Sequence, residues 1–346
     1  MGDQGLRATG GNPASPPFSN GPYTWDQHVS FSAGVGMSNT KGLIRYVDGT
    51  SGNDNNSGKS WGKAFATIQA GVTSAGANGI VYVAPKAIAA GETDPGSYAE
   101  TVIIPATHEN LSIIGISTGR TQGGLPQIKK GSGTTALLTI RAPGCLIANM
   151  GFNGIWTADS TQSLIGILLD DDGSTKTAFG TTIVGCHFKN CAGSTASKNA
   201  AVGGAITWSV QGNAWQVLIK GNMFYKNVGD IVLLGTSGSV PQDVVIEDNI
   251  FSGPAANVDC HLYLAGGSGM NGVYIRNNEF PCDPALGSGT NHESLKLTGC
   301  VGTLSHNFFG FTGLTLGDGT VTGGTVPATV WMIQNYQEDA IITRTS

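Results

Sequence analysis

The chain has 346 residues, a net charge of −5, 40% hydrophobic residues and only 12% charged ones, with 53 glycines. That hydrophobic share excludes a disordered chain. The 18 basic residues against 23 acidic ones form no basic stripe, which excludes a nucleic-acid surface.

Residues 1–42 carry Gly, Pro, Ser and Asn, with isolated aromatics at Phe18, Tyr23, Trp25 and Phe31. No strand or helix period runs through them. Such a segment cannot bury a core by itself. It is expected to be an extended arm that lies on a partner through those four aromatics. Its start lacks a signal-peptide pattern, and Leu6 stands where myristoylation needs Ser or Thr. No stretch approaches 18 uninterrupted apolar residues, so no membrane-spanning helix is expected.

Residues 43–79 read as an opening strand (43–47), a Gly/Asn/Asp loop and a short amphipathic helix. Phe65, Ile68 and Val72 fall on one face of that helix. Gly52 to Gly58-Lys59-Ser60 is one residue too long for a phosphate-binding loop and has no βαβ context, so it reads as a surface loop.

Residues 80–335 contain a repeat. After strands at 80–84, 96–104, 111–116 and 137–140, one line of sequence recurs six times. Its clearest copies are Val-Leu-Ile-Lys-Gly-Asn-Met-Phe (217–224), Val-Val-Ile-Glu-Asp-Asn-Ile-Phe (244–251) and Val-Tyr-Ile-Arg-Asn-Asn-Glu-Phe (273–280). The anchoring aromatics are Phe152, Phe188, Phe224, Phe251, Phe280 and Phe309, spaced 36, 36, 27, 29 and 29 residues apart by subtraction of their numbers. A period in this range marks a repeat architecture. Within each copy the apolar period is two, which is a strand pattern. One short strand cannot bury its apolar face alone, but a stack of similar ones can. Asn222, Asn249, Asn278 and Asn307 share one position, which suggests a left-handed turn residue bonding to the next coil. Phe above Phe predicts an internal aromatic ladder. Roughly nine coils are expected, with excursions at 117–133, 156–180 and 191–203, a closing strand at 329–333 and a polar, projecting tail at 336–346.

This pattern resembles the single-stranded right-handed parallel β-helix, the pectate-lyase-like fold, over roughly 43–335. Segment 43–79 and Gly96–Ile104 are similar to the opening of many β-helix proteins of phages and bacterial surfaces. There the helix plugs the bottom of the solenoid. The resemblance implies an all-β solenoid with an N-terminal capping helix, and, as in related phage proteins, a homotrimer.

Candidate chemistry is sparse. Asp170, Asp171 and Asp172 follow the strand 165–169 and are weak catalytic candidates, since glycosidases need two carboxylates about 5–10 Å apart. They also read as a strand-ending loop. The carboxylate, His and Arg motifs of pectate lyases and polygalacturonases find no match, so those activities do not carry over. His108, His187, His292 and His306 read as turn or strand-end residues. Trp156, Trp208 and Trp215 are candidates for stacking on sugar rings. The six cysteines, none in a CxxC pair, read as buried thiols. No cofactor or metal is expected.

The sequence thus predicts a non-enzymatic bacteriophage virion protein, a capsid-decorating or fibre-like appendage anchored to other virion proteins through residues 1–42. Virion proteins need no export signal, because they leave by lysis. Adhesion to a host-surface glycan is an accompanying expectation. The alternatives are a polysaccharide lyase or glycosidase using outward-facing carboxylates, as in a depolymerising tailspike, and a bacterial surface adhesin.

Overall fold

In the computed structural model, the described residues are 42–345, apart from 88–95, 118–123, 130–135, 156–163, 174–176, 194–198, 211–213, 235–239, 254–257, 266–269, 283–292, 312–313, 318–322 and 339. They belong to one compact unit, Thr40–Ser346. Residues 1–41, with the four aromatics of the expected arm, lie outside the described residues.

The unit is a parallel β-helix. The chain passes in turn through three sheets, each of ten strands among the described residues; in the second sheet the last of these, Ala340–Ile342, pairs antiparallel. The first sheet runs from Ile44–Val47 to Val330–Ile333, so the opening strand is already the first rung. Ten strands at about 4.8 Å make a stack about 43 Å tall. Gln127–Ile128 is a strand within a stretch expected to be an excursion. Strands of the third sheet, such as Ile206–Trp208 and Gly229–Leu233, follow loops of differing length and share no sequence motif.

Register holds along the inward columns, so similar side chains stack; it shifts at Asn271/Val273 and at Glu293/Leu295. On the first sheet, Val81, Ile113, Ile147, Ile183, Ile219, Ile246, Ile275 and Leu304 form one inward column. On the second, the six phenylalanines stack with centroids 4.7–5.1 Å apart and planes within 9–13°. Each is at most 1% exposed. Such pairs contribute about 0.5–1.5 kcal/mol beyond their area burial.

The corner between these two sheets carries the asparagines. The Asn222 backbone N–H and Nδ2 both donate to Oδ1 of Asn249, at 2.9 and 3.0 Å. The Asn222 Nδ2 also donates back to the Ile183 carbonyl at 3.0 Å. The same three bonds recur from Asn249, Asn278 and Asn307, and the column ends on Asn335. Asn335 was not among the four read from sequence. The left-handed residue is not the ladder asparagine but the one before it: Gly221, Asp248, Asn277, His306 and Gln334 have φ between 47° and 62°. A left-handed residue redirects the chain, and the asparagine that follows ties the corner to its neighbours.

The bottom of the stack is closed. The helix is Ile68–Ala75, shorter than expected, with Ile68, Gly71, Val72 and Ala75 buried. Phe65 precedes it and bridges Val47. Thr67 caps the helix, and the Glu100 carboxylate accepts from the Ile68 and Gln69 amides at 2.8 and 3.0 Å. Asp54 pins the Gly52–Ser60 loop by accepting from Ala66 and Thr67. Segment 58–65 closes the first sheet's edge, since Tyr46 donates to Gly58 and Asp48 to Phe65.

The described residues of the C-terminal segment do not project. Asn335–Gln337 pairs antiparallel with Ala340–Ile342, and Arg344–Thr345 pairs with Thr315–Gly317. Ile342 is buried over the core, and this burial holds the segment down.

Truncating one ring of the ladder leaves a cavity. Phe224→Ala should cost about 3–5 kcal/mol in urea unfolding. A cost under about 1 kcal/mol would show that the stack does not support the core.

Candidate functional site

The sequence candidates separate in the structure. Asp170 follows Ile167–Leu169, and its Oδ2 accepts from Arg141 Nε at 3.0 Å one rung below. Asp171 turns inward on its own loop, accepting from the Gly173 amide at 2.6 Å. Asp172 is exposed. On the rung above, Ser209 continues the column, its amide donating to the Leu169 carbonyl. The three carboxylates therefore act as an ion-pair partner, a turn former and a loop residue, and do not face one another as an acid and a nucleophile. Among the described residues no group of three His, Cys, Asp or Glu side chains could hold a metal ion.

Trp208 is fully buried, with Nε1 donating to the Ala214 carbonyl at 3.1 Å. It is a core residue and not a sugar platform, because its place in the third sheet points inward onto Leu169 and Leu233. Trp215 is 39% exposed; Trp156 and His292 lie outside the described residues. His306 meets Gln334 at 2.9 Å at a corner. Five of the six cysteines are buried. Burial pushes the thiols of Cys145, Cys186, Cys191 and Cys300 up to about 12, which makes them poor nucleophiles and ligands at neutral pH.

The sequence reading missed a buried polar centre. Asp230 and His261 lie in neighbouring strands of the third sheet, Gly229–Leu233 and Cys260–Tyr263, and both are fully buried. The Asp230 carboxylate meets His261 Nδ1 at 2.5 Å. Asn227 Nδ2 donates to its other oxygen at 2.9 Å. His261 Nε2 reaches the Cys282 carbonyl at 3.4 Å, and its ring lies against Phe251 and Phe280. Asn227 also accepts from the Cys191 amide and donates to the Phe188 carbonyl, repeating the asparagine corner at the next bend. Burial pushes the Asp230 carboxyl above its ordinary value, against the pull of His261 and Asn227. No spacing signal could have found this pair, because its residues are 31 apart and sit in the sheet without a motif.

Outside, the first sheet carries a charge column. Lys220 Nζ meets Glu247 at 2.8 Å, and Arg276 Nε meets it from the next rung at 2.6 Å. The Lys220 hydrogen bond, supported by Arg276, holds the Glu247 carboxyl below its ordinary value.

Comparison with known proteins yields fold likenesses only. No protein-family model and no curated protein matches the sequence. Among solved structures, ORF18 of Geobacillus virus E2 is 13% identical over 75% of this chain and 52% of its own, with a TM-score of 0.39. The chain thus spans about half of that protein. A pectin methyl esterase of the rice weevil is 13% identical over 81% of this chain and 88% of its own, with a TM-score of 0.41. A lacto-N-biosidase from Eubacterium ramulus is 9% identical over 84% and 68%, with a TM-score of 0.28.

Two outcomes follow. Removing one partner of a buried pair strands the other, so Asp230→Asn should cost about 3–5 kcal/mol in denaturant unfolding; a neutral variant would show that the pair is dispensable. For Glu247, a depressed carboxyl contributes stability above its unfolded value of about 4.3 and loses it as pH falls through the folded one. Glu247→Gln should therefore melt below the wild type at pH 7, and the gap should close in acid; a gap constant with pH would contradict this.

Proposed function

We propose that the protein is a structural rod of a bacteriophage virion surface, a capsid-decorating or fibre-like appendage held by residues 1–42. The observation that carries the reading is how the stack is built. Its aliphatic, phenylalanine and asparagine columns run through successive rungs without a break in register, and its bottom is sealed by its own helix and loop. Such a rod resists local opening, because each rung's polar corner and apolar interior depend on both neighbours. That is the property a particle surface needs. The phage assignment is supported by the resemblance of the opening segment 43–79 to those of phage and bacterial-surface β-helices. The right-handed winding and the arm's contact with another virion protein belong to the same proposal.

Labelling particles from the native source with antibody to the purified protein tests this. The expected result is label on the virion surface, and a rod lacking residues 1–42 that folds normally but no longer competes for the particle. Label absent from particles, or release of reducing ends from polysaccharide by the purified protein, would overturn the proposal.

A further inference from the structure

The last strand of the first sheet, Val330–Ile333, is not free to take another strand. The Val330 amide donates to the Pro327 carbonyl, and the Val330 carbonyl accepts from Arg344. What this end offers is side chains. Trp331 is 73% exposed, more than any other large apolar residue among those described. Between its strand and the folded-back Ala340–Ile342 lies a groove of about 410 Å³, whose lining includes Trp331, Gln334, Ile341, Thr343 and Arg344. That volume falls within the roughly 300–1,000 Å³ usual for small-ligand clefts.

Arg344 is the one charged residue in that lining. It donates to the Val326 and Val330 carbonyls, which are neutral and leave its charge in place. Among the described residues no carboxylate pairs with it. Two of its five N–H groups are engaged by these carbonyls, and three remain. The same two bonds hold the guanidinium still, so a ligand has less freedom to remove. Beside it stand uncharged polar groups. Thr343 is exposed, and Gln334 meets His306 through Oε1 at 2.9 Å, which leaves its amide NH₂ to donate.

We propose that this groove binds one residue of an acidic saccharide, its ring stacked on Trp331 and its carboxylate on Arg344. Three observations select that chemistry. The groove carries a single, uncancelled positive charge, and a guanidinium fork suits a carboxylate. One flat aromatic wall with hydroxyl and amide groups beside it suits a ligand with an apolar face and a hydroxylated rim, which a pyranose has. The platform also continues. Tyr274, 43% exposed, lies two rungs below Trp331 in the same outward column, with Thr303 between them. At about 4.8 Å per rung the two positions are about 10 Å apart, the span of a disaccharide. A peptide strand would instead need the Val330 backbone groups, which are taken. The inference does not rest on the virion role, since a rod free of any particle would bind the same ligand.

A glycan array that sets uronate- and sialic-acid-containing oligosaccharides beside neutral ones, probed with the full chain, tests this. Binding should be confined to the acidic glycans, weaken as salt rises, and vanish when their carboxylates are esterified. Trp331→Ala should lower the affinity for the best of them by about tenfold, with an unchanged far-ultraviolet spectrum and melting temperature. Tyr274→Ala should weaken binding of the oligosaccharide and leave that of its acidic monosaccharide unchanged. Trp215→Ala, which removes an exposed aromatic elsewhere on the rod, should change neither. No acidic glycan bound, neutral glycans bound equally well, or binding indifferent to Trp331→Ala would overturn the proposal.

Discussion

The corner between the first two sheets is the constraint on which the rest depends. Turning a chain sharply inside a protein buries amides that no strand partner can reach, and each left unpaired costs about 1–3 kcal/mol. Asparagine solves this because its side chain offers an acceptor and two donors at once. In the column from Asn222 to Asn335, each Oδ1 from Asn249 upward takes two bonds from the rung below, and each Nδ2 from Asn222 to Asn307 reaches both ways. The corner therefore closes only when rungs are in register. The phenylalanine column two residues on inherits that register.

Below Asn222 the solution changes. Cys186 takes the ladder position, and its amide still donates to Asn222 Oδ1 at 2.9 Å. Its thiol reaches the Val184 and Ile147 carbonyls at 3.5 and 3.7 Å. A thiol is a weak donor, so this rung trades hydrogen-bond strength for apolar volume. Met150 continues the column at zero exposure. The stack thus passes from an apolar corner near its bottom to a polar one near its top, without losing its phenylalanines.

The polar centre at Asp230 and His261 belongs to the same logic. A buried carboxylate is costly unless its oxygens are met, and here Asn227 and His261 meet both. Its effect is to fix the third bend of two rungs, where variable loops leave no repeat to do so. The charge column of Lys220, Glu247 and Arg276 is its counterpart on the outer face, alternating in sign along the register, with Glu247 covered by its two partners.

The sequence by itself determined the period, the strand character, the phenylalanine column and the asparagine position, because each recurs at the same offset in successive rungs and a stack amplifies any side chain that must face its own copy. It also marked the sealed bottom, where Ile68 and Val72 share a helical face. Only the tertiary structure decided where the left-handed residues stand, one place before the asparagines, and that Asn335 ends the column. It alone paired Asp230 with His261, buried Trp208, set Arg141 against Asp170 and folded the strand Ala340–Ile342 back over the core. The physical reason is common to these cases. Each depends on which rung lies above or below, and loops of differing length separate those rungs in sequence. A repeat records its own spacing, whereas a contact between unlike residues in adjacent rungs leaves no period to read.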